Sequence, residues 1–173
     1  MKAYIMGKEL TFAVAVIGIL AAVALSSRAE DNPAALAKAL PEASVSLDQG
    51  LKASESQEKP ISGKYELEDG ALQLSVYTTK GDQFSEVIVD NKTGATKKAE
   101  KITDPDDLKN AKEQSEAMAN ARLSLEKAVA DATAANAGYS AVSVVPTLDG
   151  GKPVANITLM KGEDTKKVTA KLD

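Results

Sequence analysis

The sequence predicts an α+β fold of two small modules, each a helix packed on a small three-stranded antiparallel sheet, joined by a long helix. Three features point there. Apolar and polar residues alternate in short runs. Acidic Gly turns and Lys-Gly-acid turns separate those runs. The same order of elements then occurs twice along the 173 residues.

The chain opens with a different signal. Lys2 and Lys8 precede an uncharged run from Leu10 to Ser27, and Ser27-Arg28-Ala29 sets small residues around a cut before Glu30. Residues 1–29 therefore read as a secretory leader. The competing reading is an uncleaved anchor, for which the run is slightly short of the ~20 residues a bilayer needs. The start Gly7 plus an apolar stretch resembles a type IV pilin, but Phe12 and Asn32-Pro33 depart from that pattern. Loss of the leader removes Lys2, Lys8 and Arg28 against one acid, Glu9, leaving the remainder more acidic than the whole chain's −4.

Residues 30–43 are Ala-rich, with Asn32-Pro33 able to start a short helix and Pro41 to end it, and read as a tether. The first module spans 44–101. Ser46 and Gln49 have the spacing of a capping box, and Leu47 and Leu51 share a helix face. Ile61, Gly63, Tyr65 and Leu67 line one side of a first strand, and Asp69-Gly70 turns it. Leu72, Leu74 and Val76 continue in a second strand, Lys80-Gly81-Asp82 turns again, and Phe84 to Val89 is the third.

Residues 102–173 hold the linking helix and the second module. Asp104 caps, Pro105 takes the first helical position, and Asp106 and Asp107 sit where the helix dipole favours acids. Leu108, Ala111, Met118, Ala121, Leu125, Val129 and Ala132 recur at helical steps up to the stop at Gly138. About thirty residues is long for a globular helix, so it either breaks near Asn120 or bridges the modules. Strands follow at 141–147, 154–160 and 167–172, and Pro146 suggests an edge position for the first of them.

The halves answer to each other: Ser46-Leu47-Asp48 to Ser124-Leu125-Glu126, Glu68-Asp69-Gly70 to Leu148-Asp149-Gly150, and Lys80-Gly81-Asp82 to Lys161-Gly162-Glu163. A helix, an alternating strand, an acidic Gly turn and a closing Val-Ile-Val-Asp-Asn-Lys-Thr-Gly resemble the PepSY module over residues 44–98, and more weakly over 122–173. The second copy closes on Ala170-Lys171-Leu172-Asp173 without the Thr-Gly. The resemblance implies a helix on a small antiparallel sheet, an extracytoplasmic setting, no catalysis, and binding of a protein or peptide, a secreted peptidase among them.

Composition narrows the chemistry. With no Cys, His or Trp, thiolate catalysis, imidazole metal sites and Ser-His-Asp hydrolysis lack their usual parts. No Ser-x-x-Lys pattern singles out a nucleophile, and no cofactor motif is present. An acidic chain without a basic stripe argues against nucleic acid and against anionic lipid. Asp104, Asp106 and Asp107 hint at a calcium loop, but Leu108 and Lys109 stand at the fifth and sixth places, where the loop wants Asp and Gly, so capping explains them better. Asp90-Asn91-Lys92-Thr93-Gly94 reads as a turn rather than a cation site. Tyr65 and Phe84 fall on apolar faces and belong to the core. Tyr77 shares a face with Gln73 and Ser75, and is the one candidate binding residue, an exposed aromatic on a sheet. The expected function is that of a non-catalytic periplasmic or extracellular binding protein. A membrane-anchored envelope scaffold is the alternative, with membrane contact only if the leader stays.

Overall fold

The structure is a computed structural model and describes residues 32–173; the leader and its cleavage site lie outside them. The order of elements is α1 (Pro33–Ala39), a short 3-10 turn (Leu40–Glu42), α2 (Leu47–Ser54), β1 (Lys59–Glu68), β2 (Ala71–Lys80), β3 (Gln83–Val89) and β4 (Thr96–Lys101). Then follow α3 (Pro105–Ala119), α4 (Leu125–Ala134), β5 (Ser140–Asp149), β6 (Lys152–Lys161) and β7 (Asp164–Lys171).

The strands form one seven-stranded sheet in the order β4-β3-β2-β1-β5-β6-β7, antiparallel throughout. This corrects the expectation of two separate three-stranded modules joined by a long helix. The physical reason lies in β1 and β5. Each would be an open edge in a lone module, and an open edge leaves its N–H and C=O groups unpaired. Here the two edges pair through Gly63 with Val144 and Lys64 with Ser143, which joins the two halves into one sheet.

The long helix also breaks. Asn120 ends α3, its N–H donating to the Ala117 carbonyl, and Ser124 Oγ accepts from the Lys127 N–H at 3.2 Å to start α4. Five residues separate two helices that do different jobs. Pro146, expected on an edge strand, lies on β5 inside the sheet. The β1–β5 ladder covers only residues 143 and 144 on that side, so proline's missing N–H leaves no partner unmet there.

Gln49 Oε1 accepts from the Ser46 N–H at 2.9 Å, closing the entry to α2. Beyond it, α2 contacts β1, β2 and β3, α4 contacts β5, β6 and β7, and the two helices touch each other, so they share one face of the sheet. Leu47, Leu51, Leu74, Val76, Val129, Val144, Ile157 and Leu159 are among the fully buried side chains between helices and strands. A side chain at Gly63 would come within 3.2 Å of Leu51, so α2 lies close over this strand.

Successive side chains of a strand point to opposite faces. Ser62, next to Gly63, therefore faces away from α2, and its Oγ donates to Gln114 of α3 at 2.7 Å. Helix α3 covers that second face across β1, β5 and β6, while α1 covers β1 and β2. The Ala-rich segment thus docks, with Leu36, Ala37 and Leu40 packed against the core.

The two halves repeat their local devices. Each first strand bulges near its start, between Pro60 and Ser62 and between Ala141 and Ser143. The hairpins set Glu68 opposite Ala71 and Asp149 opposite Lys152, so Glu68 corresponds to Asp149 and Gly70 to Gly151. This moves the first-turn match one residue from the sequence reading. The Asn91 carbonyl accepts from the Ser44 and Val45 N–H groups, and the Leu172 carbonyl accepts in the same way from Arg122 and Leu123. Each half thus ties the end of its third strand to the residues just before its helix.

Candidate functional site

The second face of the sheet carries a groove of about 650 Å³, walled by α1 and α3 and floored by β1, β2, β5, β6 and β7. The alternation that buries Gly63 and Tyr65 under α2 turns Lys64 and Glu66 into this groove. Lys64 Nζ pairs with Glu66 at 2.6 Å, and both side chains are largely shielded from water. Ser75 Oγ donates to Glu66 at 2.7 Å and accepts from Gln73 Nε2 at 3.0 Å. The result is a fixed polar strip across β1 and β2.

Tyr77 stands beside this strip. It is half-buried rather than exposed, with the Lys64 ammonium 6.0 Å from its ring centre, near the limit of a cation–π contact. Tyr77, Lys64 and Asp107 engage further partners besides those named. Asp107, Asn110, Ala111 and Gln114 recur at three- and four-residue steps along α3 and form one wall. Across β5 and β6 the floor mixes apolar Val142, Val145 and Met160 with Ser143 and Thr158, and Val145 is 38% exposed.

The other residues singled out by the sequence have structural work. Tyr65 is buried, and its hydroxyl donates to the Val45 carbonyl at the start of α2. Burial, reinforced by the Asp48 carboxylate, pushes its phenol up to about 12. Phe84 is buried as well. Asp104 Oδ1 accepts from the Asp106 and Asp107 N–H groups at 2.9 and 3.1 Å, which is capping. Asp90 Oδ1 accepts from Lys92 and Thr93 N–H at 2.9 and 2.8 Å, and its other oxygen pairs with Lys97 at 2.9 Å. The Lys97 bond first, then the Thr93 and Lys92 amides, hold this carboxyl far below the usual range. Gly94, at φ 76°, completes that turn.

Among the described residues, no group of three or more acids is placed to hold a metal ion. The buried hydroxyls of Ser62, Ser75 and Thr78 are each committed to a hydrogen bond. A second hollow of about 580 Å³ lies where α3 gives way to α4, lined by Glu55, Glu58, Lys59, Arg122 and Glu126 among others. Lys59 Nζ donates there to the Met118 carbonyl at 3.2 Å, so this hollow ties the helix break to β1.

Of the residues in the groove, sequence reasoning named Tyr77 as a binding residue. It missed Lys64, Glu66, Gln114, Val145 and Lys167, which come from four different elements. The polar side of β1 was visible as the complement of Ile61, Gly63, Tyr65 and Leu67. Which helix would wall it was not. Comparison with protein-family models, with curated proteins and with solved structures finds no match to this chain. Among the described residues no helix is long and apolar enough to cross a membrane.

Proposed function

We propose that this chain is a non-catalytic, extracytoplasmic binding protein that recognises a segment of a partner protein in the groove beneath α1 and α3. The observation that supports it is the groove itself. A pre-ordered polar strip lies beside a floor that mixes apolar and hydroxyl side chains, and a half-buried tyrosine lies next to the strip. Such a floor offers hydrogen bonds and apolar contact along one line, which suits an extended peptide better than a compact metabolite. The leader read in residues 1–29 supports a periplasmic or extracellular address, and the PepSY resemblance makes secreted peptidases the partner class to try first.

The test is a pull-down from the native cell envelope with residues 30–173, run beside Tyr77→Ala. A single enriched protein that the variant fails to retain, with both chains equally folded by circular dichroism, is the expected result. Equal recovery by both chains would remove the groove from the reading.

A further inference from the structure

The sheet has two outer strands, and they are charged differently. On β4, Lys97 pairs with Asp90 at 2.9 Å and Lys98 with Glu100 at 2.8 Å, so two of the three lysines of that edge are neutralised from within. On β7, Asp164-Thr165-Lys166-Lys167-Val168-Thr169-Ala170-Lys171 carries three lysines against one acid. Asp164 accepts from the Tyr139 hydroxyl, and Lys166 donates to the neutral Asn136 side chain. Lys167 and Lys171 have no ion-pair partner among the described residues. Six residues of the strand are exposed, including all three lysines.

We propose that β7 is the entry edge for an acidic, extended peptide, which adds to the sheet as an eighth strand. Three points converge on this occupant. The strand pairs only with β6, so half of its backbone donors and acceptors remain open for a ladder. Its unneutralised lysines favour acids on the incoming strand and repel a second copy of the same edge. Thr165 and Lys167 of β7 also line the open end of the groove, so alternate side chains of an added strand would point toward its floor. The inference deepens the groove reading, and names the chemistry of its ligand.

The test uses the full chain and two synthetic peptides matched in length to β7, one alternating Glu with Val and Thr, the other carrying Lys in place of Glu. Amide hydrogen exchange over residues 164–171 is read with each peptide, and affinity by titration at low and high salt. The expected result is slower exchange across β7 with the Glu peptide and not with the Lys peptide. Affinity should fall about tenfold or more in the doubly substituted Lys167→Glu, Lys171→Glu chain. Both substitutions are at exposed positions, and Lys167→Gln serves as a milder second variant. Equal binding of both peptides, or protection confined to β4, would overturn the proposal. So would slower exchange of β7 with rising protein concentration alone, which would place a second copy there. Loss of binding in Tyr77→Ala with no loss in the lysine variants would keep the groove and remove the edge. The reverse pattern would keep the edge and remove the groove.

Discussion

In the first half of the sheet, α2 presents Gly50 to Leu74 of β2; in the second, Ala128 of α4 and Ala155 of β6 hold the same register positions. A Cβ on Gly50 would sit 2.4 Å from a Leu74 methyl. Volume has moved from the helix to the strand in one half and is shared in the other. The same trade recurs beside it. Gly63 lies under Leu51 in the first half, whereas Val144 and Val129 take those places in the second. Both halves keep a helix close to a sheet, yet at these positions the side chains match as pairs and not one by one. Equivalent backbones are thus specified by pairs of side chains, and a residue-by-residue alignment of the halves understates their likeness.

The largest expected effect tests that trade. Leu74 is fully buried, and Leu74→Ala should cost about 3 kcal/mol. Gly50→Ala alone should cost about 1 kcal/mol, overpacking against Leu74 outweighing the gain in helix propensity. Combined, the two recreate the Ala–Ala pair of the other half, and Gly50→Ala should then stabilise the Leu74→Ala chain by roughly 1 kcal/mol. Urea unfolding of the four chains measures the cycle. Strict additivity would mean that the two residues do not share one space.

The same pairing logic explains what could be read in advance. Local punctuation was legible: Asp104-Pro105 opens α3, Ser46 with Gln49 opens α2, and the turns at Gly70, Gly81 and Gly162 take positive φ as their glycines allow. Ser124 was matched to Ser46, which already marked a fresh helix start inside the supposed long helix. The join of the halves was not legible, because it rests on the two pairs that Gly63 and Lys64 make with Val144 and Ser143. Nothing local distinguishes those residues from the rest of their strands. The strand β4 went unseen for another reason. Thr96-Lys97-Lys98-Ala99-Glu100-Lys101 has one apolar residue, and five of its six positions are exposed, so it lacks the alternation that marks a half-buried strand. Its existence depends on β3 offering an open ladder.

A second contrast lies at Tyr65, whose register position in the other half is occupied by Pro146. Only the first half ties its helix entry to the sheet through a phenol, by the bond to the Val45 carbonyl. Tyr65→Phe should cost about 1 kcal/mol at neutral pH. The alkaline behaviour follows from the raised pKa. The folded state favours the neutral phenol, so the contribution of Tyr65 is complete below its ordinary value of 10.0 and lost as pH climbs through about 12. The stability gap between the native chain and Tyr65→Phe should therefore hold up to pH 10 and narrow above it. A gap that stays constant across that window would show that the phenol ionises as freely folded as unfolded.

The smallest effect concerns the closing turns. Asp90 ends the third strand of the first half, and Lys171 holds that position in the second, so only the first closes on a carboxylate. That carboxylate is held low by the Lys97 ammonium and by the Thr93 and Lys92 amides. A depressed pKa means that its contribution is present above the ordinary carboxylate value, near ~3.9, and drains away as pH falls below it. Asp90→Asn keeps an oxygen for the two amides and loses the charge. The difference in urea midpoint between native and Asp90→Asn chains should be small at pH 7 and vanish in strong acid. Added salt should shrink it at neutral pH, because the Lys97 pair faces water and is screened. Asp90→Ala loses the amide bonds as well, so its deficit should exceed that of Asp90→Asn and persist in salt. Equal deficits for the two variants would mean that charge alone, and not the turn's hydrogen bonds, gives Asp90 its role.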